Sequence, residues 1–236
     1  MKYICKLHVL AGIVGMMLVL PLVMKAQSNW AFKGSSSEGL IVVQDNNGKY
    51  GFVDEDDNVV IPCQWNDAMF FSEGFAPVRD DNFKWGFIDK NGKLVFPCQW
   101  NYVSVFKDGL APVMNDNDMW GYVDNTGQLV IEYKWTEASI FIEDRASVKD
   151  GTGMYGFIDK KGVLVIPCQW NAVWHFSEGL AHVKDENGKY GYIDTMGNVV
   201  IPCKWKDAWY FYEGLASVMD DNDEWHKIDK TGMVVE

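Results

Sequence analysis

The sequence predicts an all-β protein: a tandem array of six three-stranded antiparallel meanders with a period of 35 residues. One column of aromatic residues keeps this step, followed by glycine in the first five copies and by histidine in the last: Tyr50, Trp85, Trp120, Tyr155, Tyr190 and Trp225. A second column keeps it with aspartate: Asp54, Asp89, Asp124, Asp159, Asp194 and Asp229. A step kept in several columns without an insertion is typical of repeat architectures. The chain is therefore interpreted as one array and not as two ordinary domains.

The unit that begins at Gly74 shows why strands are expected. Gly74–Val78 is a short apolar run entered through glycine, and Lys84–Ile88 is rich in the aromatic and β-branched residues that favour strands. Between them, Asp80–Asn82 supplies residue types that tolerate left-handed backbone and stabilise tight turns. These two runs are predicted to form an antiparallel hairpin.

A second turn and a third strand complete the meander. Asp89–Gly92 has aspartate first and glycine fourth, the order that a type I turn prefers before a left-handed glycine. Lys93–Phe96 is the third strand, and Pro97 is expected to end it because proline has no backbone N–H to donate. Residues 98–106 lead to the next unit, with short extended or turn-like structure expected and one helical turn left open.

The amino-terminal residues are interpreted as a secretory signal peptide. Residues 1–26 contain an uncharged stretch, Val9–Val23, that is shorter than the ~20 apolar residues of a membrane-spanning helix. Cleavage after Ala26 would leave residues 27–38 as a polar leader and residues 39–236 as a single repeat domain. We expect an exported protein of the periplasm, cell surface or extracellular space, without stable membrane insertion after cleavage. A retained membrane anchor is the alternative.

Three short motifs carry a resemblance to a known family. Ser177–Ala181 reads Ser-Glu-Gly-Leu-Ala, Tyr190–Asp194 reads Tyr-Gly-Tyr-Ile-Asp, and Val199–Pro202 reads Val-Val-Ile-Pro. This pattern recurs through nearly all of the chain after the signal peptide and resembles WG-repeat proteins. The resemblance implies a bacterial β-repeat array, often exported, with no shared catalytic residues. Tyrosine in place of tryptophan in three copies, and His226 in place of glycine, depart from the pattern.

The units could be packed in three ways. A solenoid with one coil per repeat would stack equivalent aspartates at ~4.8 Å, and a ladder of like charges is costly. A closed six-bladed propeller-like ring would have thinner blades than usual and would need a device that joins its ends. An open, twisted array in which each unit contacts its neighbours needs no closure. The open array is the preferred prediction, and the closed ring is the alternative.

The charge of the chain excludes some partners. The formal net charge is −12, from 33 acidic and 21 basic residues, and Arg79 and Arg145 are the two arginines. A nucleic-acid groove lined with guanidinium groups is therefore excluded. An anionic membrane surface would repel the chain.

The cysteines and the acidic turns are the residues of the sequence that could hold a metal or form disulfides. After the signal peptide, the cysteines are Cys63, Cys98, Cys168 and Cys203. A disulfide needs Cα atoms within ~7 Å, and equivalent sites in adjacent units should lie further apart, so free thiols are favoured and bridges stay open as the alternative. No second cysteine or histidine has zinc-ligand spacing. The acidic turns lack the loop of an EF-hand, so solvated hairpin turns are favoured, and weak calcium binding stays open as the alternative. No metal or cofactor is expected.

The sequence shows no catalytic motif. His175 occupies a mostly apolar column and is expected to pack in the interior, while His182 stands where other units have proline or serine. Neither lies in a recognisable catalytic frame, and the repeated aspartates have a sufficient role in turns. We expect no enzyme activity and assign no catalytic residue.

A column of tryptophans is the candidate ligand site. Its members are Trp65, Trp100, Trp135, Trp170 and Trp205. Exposed rings at these positions could stack on sugars with multivalent avidity, whereas buried rings would fill the core between units. The second interpretation is favoured because the rings recur in every unit.

The departures from the repeat are concentrated near the middle of the array. Glu132, Tyr133, Glu143, Asp144 and Arg145 break the pattern there, as a specialised patch or as drift. The interpretation of the whole chain is a non-enzymatic exported scaffold that mediates binding, with a protein as the expected partner. A carbohydrate-binding protein that uses repeated aromatic residues is the alternative.

Overall fold

A computed structural model describes residues 30–235, so the predicted signal peptide lies outside the described residues. The described chain is all-β, with strands grouped into six antiparallel sheets that follow one another along the sequence. The all-β array of meanders is therefore confirmed. None of residues 30–235 forms a helix long and apolar enough to cross a membrane.

The first three sheets contain four strands each. The strands of the first sheet are β1 (Phe32–Ser37), β2 (Leu40–Gln44), β3 (Tyr50–Val53) and β4 (Val59–Trp65). Those of the second sheet are β5 (Asp67–Ala68), β6 (Phe75–Arg79), β7 (Trp85–Asp89) and β8 (Leu94–Trp100). Those of the third sheet are β9 (Tyr102–Val103), β10 (Leu110–Met114), β11 (Trp120–Asp124) and β12 (Leu129–Trp135).

The last three sheets continue the pattern, and the sixth has three strands. The strands of the fourth sheet are β13 (Glu137–Ala138), β14 (Ala146–Lys149), β15 (Tyr155–Ile158) and β16 (Leu164–Trp170). Those of the fifth sheet are β17 (Ala172–Val173), β18 (Leu180–Lys184), β19 (Tyr190–Asp194) and β20 (Val199–Trp205). Those of the sixth sheet are β21 (Asp207–Ala208), β22 (Leu215–Met219) and β23 (Trp225–Asp229).

A short additional strand distinguishes these sheets from the predicted three-stranded units. In the second sheet it is β5, in which Asp67 pairs with Arg79 and Ala68 pairs with Val78 of β6. This stretch belongs to the predicted connection between units, for which extended or turn-like structure is expected. The first sheet has a longer equivalent, β1, formed by residues that were assigned to the polar leader at 27–38.

Pro97 does not end the third strand of its unit, so that prediction was wrong. Strand β8 continues through Pro97 to Trp100. Trp85 pairs with Trp100 and Phe87 with Phe96, and the register shifts between these two pairs. Because β8 lies at the edge of its sheet, a residue without an N–H is tolerated at the irregular pairing.

The glycine that follows the motif aromatic is required by this irregular pairing. A Cβ added to Gly86 would lie 2.6 Å from the carbonyl oxygen of Phe96 and 2.8 Å from the backbone nitrogen of Cys98. In the sixth sheet β22 pairs with β23 and places Val218 opposite His226, but within the described residues no strand equivalent to β8 pairs with the other side of β23. The close approach that excludes a side chain in the other units is therefore missing where histidine replaces glycine.

The repeated aspartates stabilise turns, as predicted. Oδ1 of Asp89 accepts hydrogen bonds from the backbone N–H groups of Asn91 and Lys93, each at 2.9 Å, and Gly92 has φ +78°. The same pair of bonds occurs at each copy of the column, Asp54, Asp89, Asp124, Asp159, Asp194 and Asp229. Much of the acidic excess therefore has a structural role.

These turns predict a loss of stability in acid. The backbone N–H of Lys93 holds the pKa of Asp89 below its ordinary value, and a hydrogen bond from His226 lowers the pKa of Asp220 to about 2. A carboxylate whose pKa is lower in the folded than in the unfolded chain contributes its full stabilisation at pH values above its ordinary pKa of about 4. This contribution is lost as the pH falls through the pKa of the folded state. We expect the urea concentration at the midpoint of unfolding to decrease as the pH is lowered from about 5 to about 2.

Asp89→Asn provides the control for this prediction. The asparagine oxygen can still accept both backbone hydrogen bonds, but it does not titrate in this range. The variant should therefore lose less stability in acid than the unchanged chain. Equal losses in both proteins would contradict a role for this turn.

The cores lie between consecutive sheets. Phe52 of the first sheet contacts Phe71 of the second with ring centroids 4.8 Å apart, and Tyr192 of the fifth contacts Phe211 of the sixth at 4.9 Å. Within the described residues, five of the six buried clusters join neighbouring sheets, one lies in the first sheet, and none joins the sixth sheet to the first. The open array is therefore confirmed over the closed ring.

One position on the outward face of the sixth sheet is polar where the other sheets have a buried aromatic ring. One buried column of the other sheets is aromatic, namely Phe52, Phe87, Tyr122, Phe157 and Tyr192. In the sixth sheet this column holds Lys227, which is exposed and pairs with Ser217. A polar residue suits this position because no other sheet of the described residues covers it.

Candidate binding surface

The predicted tryptophan column lies in the core. Four of its rings, those of Trp100, Trp135, Trp170 and Trp205, are 4–8% exposed, and Trp65 is half-buried. Rings this deep cannot stack on a sugar, so the structure does not support the column as a ligand platform. Trp30 lies one period before Trp65 and extends the column, which the sequence analysis missed.

The irregular residues of the middle repeats form links between units. Tyr133 replaces cysteine, and its hydroxyl accepts a hydrogen bond from the indole N–H of Trp100 at 3.0 Å. The Glu143 carboxylate accepts hydrogen bonds from backbone N–H groups of the next repeat, as Glu73 and Glu178 do in the same column, so Glu143 keeps the pattern of the array. Arg145 Nε donates to the carbonyl of Thr195 at 3.2 Å. Asp144 forms an ion pair with Lys160 of the same sheet, and Lys160 also pairs with Asp108 of the preceding unit. Tyr133, Glu143 and Arg145 therefore join repeats directly.

The cysteines are free and half-buried, as the sequence analysis favoured. Burial raises the pKa of Cys98 and of Cys203 to about 11. A thiol with so high a pKa is protonated at neutral pH and is a poor nucleophile.

Five exposed aromatic side chains in the fifth and sixth sheets form what we call the aromatic surface: Trp174, Trp209, Tyr210, Tyr212 and Trp225. Their side chains are 37–67% exposed. Trp209 and Trp225 approach edge to face, with ring centroids 6.5 Å apart. Other exposed aromatics of the described residues are spread over the first three sheets: Phe32, Phe70, Phe83 and Tyr102.

Three members of the aromatic surface, Trp174, Trp209 and Tyr212, depart from the repeat, whereas Trp225 belongs to the motif aromatic column. Trp174 and Trp209 occupy a column that the earlier units fill with Met69, Ser104 and Ser139. Tyr212 occupies a column that the earlier units fill with Ser72, Lys107, Ile142 and Ser177. The scaffold is therefore built without these rings. In the sequence, these positions are marked by aromatic residues that appear in the last repeats alone. The predicted ligand site was based instead on a column that recurs in every unit.

Three members of the aromatic surface, Trp174, Trp209 and Tyr210, line a cleft between the fifth and sixth sheets. The cleft has a volume of about 350 Å³ and is lined by Trp174, His175, His182, Asp207, Ala208, Trp209 and Tyr210. Trp174 stacks on His182, with ring centroids 4.4 Å apart and an interplanar angle of 16°. One side of the cleft is thereby held rigidly by the scaffold.

The two histidines of the cleft differ in environment. His182 is 4% exposed, and burial first, then the charge of His175, lowers its pKa to about 4. It is therefore neutral at physiological pH. His175 is exposed, so the expectation that it packs in the interior was wrong. His175 and Tyr210, which occupy the same repeat column in successive units, both lie at the cleft and are exposed.

Asp207 is the carboxylate of the cleft. Its equivalents in the second and fourth sheets are Asp67, which pairs with Arg79 at 3.4 Å, and Glu137, which pairs with Lys149 at 2.8 Å. Opposite Asp207 the neighbouring strand has Met219, and within the described residues Asp207 has no ion pair. The fifth and sixth sheets thus bring together aromatic rings and an uncompensated negative charge.

One group of possible metal ligands occurs within the described residues. Oxygen and nitrogen atoms of Asp220, Glu224 and His226 lie within 4.8 Å of one another. His226 Nε2 lies 3.1 Å from Asp220 Oδ2, and Glu224 is exposed. The group is explained by a surface hydrogen bond and an adjacent turn, and we assign it no ligand.

Two solved structures share the fold. A crystal structure of the computationally designed Ika8 protein matches with a TM-score of 0.52 and 11% identity, over 86% of this chain and 72% of that chain. The crystal structure of BamB from Moraxella catarrhalis matches with a TM-score of 0.51 and 11% identity, over the same shares of each chain. Identities this low show the fold alone. No curated protein matches this chain.

The repeats themselves match a family model. The model is described as "WG containing repeat" and matches residues 50–82, 85–117, 120–151, 155–190 and 190–225. These stretches cover most of the described sheets and follow the 35-residue period. This chain therefore belongs to the family of WG containing repeat proteins.

Proposed function

We propose that this chain is a non-catalytic binding protein whose repeat scaffold presents the aromatic surface to a protein partner. The observation that carries the proposal is the exposure of tryptophan and tyrosine at positions where the array does not need them. Trp209 is 58% exposed and Tyr212 is 67% exposed. Because burying large apolar side chains is favourable, such residues on a surface mark interaction sites.

The residue types support a protein partner. Tryptophan and tyrosine are enriched among the residues that dominate binding energy at protein interfaces. They bring large contact areas with few rotatable bonds, so little conformational entropy is lost on binding. Another open cleft beside Trp209, of about 400 Å³, is lined by Tyr212 and Lys227 among other residues. An open, partly polar surface of this kind suits a polypeptide.

The side chains that could have served in catalysis have structural roles, which supports a binding function. The repeated carboxylates accept backbone hydrogen bonds in turns, the two most buried thiols are protonated, and His182 is neutral and stacked on Trp174. In these environments the side chains stabilise the fold. Export through residues 1–26 to the periplasm, cell surface or extracellular space belongs to the same proposal, because it would place the aromatic surface among external partners.

The sugar-binding alternative loses its original support because the tryptophan column is buried. The exposed rings of Trp174 and Trp209 could still stack on a sugar. A sugar is therefore kept as an outcome of the experiments below.

Site-specific photo-crosslinking tests the proposal. A benzoyl-phenylalanine placed at Tyr210 should capture a protein of defined mass on intact producing cells, because this position lies in the aromatic surface. The matched control is Phe70, which belongs to the same repeat column and is 50% exposed, compared with 45% for Tyr210. Equal adducts at the two positions, or none at Tyr210, would contradict the proposal.

A further inference from the structure

We infer that the cleft between Trp174 and Trp209 receives a positively charged side chain, arginine or lysine, from a basic segment of the protein partner. The inference rests on the proposed function and specifies its chemistry. Its first support is the unpaired carboxylate of Asp207, which lines the cleft and is half-buried.

The array itself shows what normally accompanies a carboxylate at this position. Asp67 and Glu137, its equivalents, each have a cation on the neighbouring strand, Arg79 and Lys149. In the sixth sheet the position of that cation holds Met219. A partly buried carboxylate without a counter-charge is costly. A cation supplied by a ligand would restore the pairing with a charge-assisted hydrogen bond.

The rings around Asp207 suit a cation. Guanidinium and ammonium groups are attracted to the faces of tryptophan and tyrosine within about 6 Å. The same protein already uses this contact: Lys134 Nζ lies 4.5 Å from the Trp135 ring, and Arg79 Cζ lies 5.6 Å from the Trp85 ring. A cation beside Asp207 would meet Trp209 and Tyr210, which line the same cleft.

Neighbouring charges leave the site open to an external cation. Lys206, next to Asp207 in the sequence, is engaged by Asp223. His182 contributes no positive charge at neutral pH because its pKa is lowered to about 4. His175, at the rim, is exposed. The formal net charge of −12 attracts basic segments over a longer range.

Calorimetric titration of the purified chain with a short, blocked oligo-arginine peptide tests the inference. We expect binding at one site per chain at about 0.15 M salt. A peptide with citrulline in place of arginine keeps the shape without the charge and should bind about tenfold more weakly. Trp209→Ser, which introduces the residue that two earlier repeats have, should weaken arginine binding to a similar extent.

Two carboxylate variants locate the site. Asp207→Asn keeps an acceptor for the Ala208 N–H, which Asp207 Oδ1 binds at 2.8 Å, so the fold should be retained. It should weaken arginine binding about tenfold. Asp67→Asn removes the same charge from the equivalent position and should leave the affinity unchanged within about twofold. Equal losses in the two variants would overturn the inference, because they indicate diffuse attraction.

Two further outcomes would overturn the cationic ligand. One is no binding of the arginine peptide, and the other is binding of neutral oligosaccharides that is lost in Trp209→Ser. If crosslinking at Tyr210 still captures a protein while the peptide does not bind, the cationic inference fails and the proposed function stands. If neither is observed, both fail.

Discussion

Alanine in place of Phe157 is expected to lower the free energy of unfolding by about 3–5 kcal/mol. Phe157 is 1% exposed and its ring centroid lies 4.9 Å from that of Phe176 in the next sheet. The substitution would leave a cavity between the fourth and fifth sheets. Because repeat arrays are stabilised by contacts between neighbours, the damage falls on one of the interfaces that holds the array together.

Lys227→Ala is the matched control because it changes the same repeat column. Lys227 is exposed on the outward face of the sixth sheet, so its removal should change the stability by less than about 0.5 kcal/mol. Equilibrium urea denaturation of the two variants and the unchanged chain measures both effects. A small loss in the Phe157 variant, or equal losses in both variants, would show that the interface between sheets is not a principal source of stability.

The repeat explains how much of the fold could be predicted. The turn at Asp89 and Gly92 combines local residue preferences with a fixed step, and both are visible in the sequence. Strand β5 is different, because its two residues pair with β6 of the following unit and have little strand signal of their own. The continuation of β8 through Pro97 was also missed, since tolerance of proline depends on an edge position that the local sequence does not reveal.

The candidate site was harder to predict because a sequence shows which residues recur but not which of them are buried. Trp100 recurs in every unit because every interface between sheets needs the same bulk, and it is 4% exposed. Trp174 and Trp209 appear in two units only and are exposed. The unpaired state of Asp207 required the register of β21 against β22, which places Met219 opposite it. In this array, aromatic residues that appear in only one or two repeats are therefore better site candidates than those that recur in every repeat.

Gly86→Ala is expected to destabilise the second sheet severely, by about 3 kcal/mol or more. The added Cβ would lie 2.6 Å from the Phe96 carbonyl oxygen and 2.8 Å from the Cys98 nitrogen. Both atoms belong to the backbone of β8, so relief requires the strand to move. Such a movement would disturb Trp100, at the end of β8, which is buried in the core shared with the third sheet.

Gly74→Ala separates this steric effect from a conformational one. Gly74 has φ +86°, and a Cβ there would meet no atom within 4 Å. Alanine at this position should cost about 1–2 kcal/mol through backbone strain alone. Urea denaturation of both variants measures the difference. If Gly86→Ala costs no more than Gly74→Ala, the close approach of β8 is not what requires glycine after the motif aromatic.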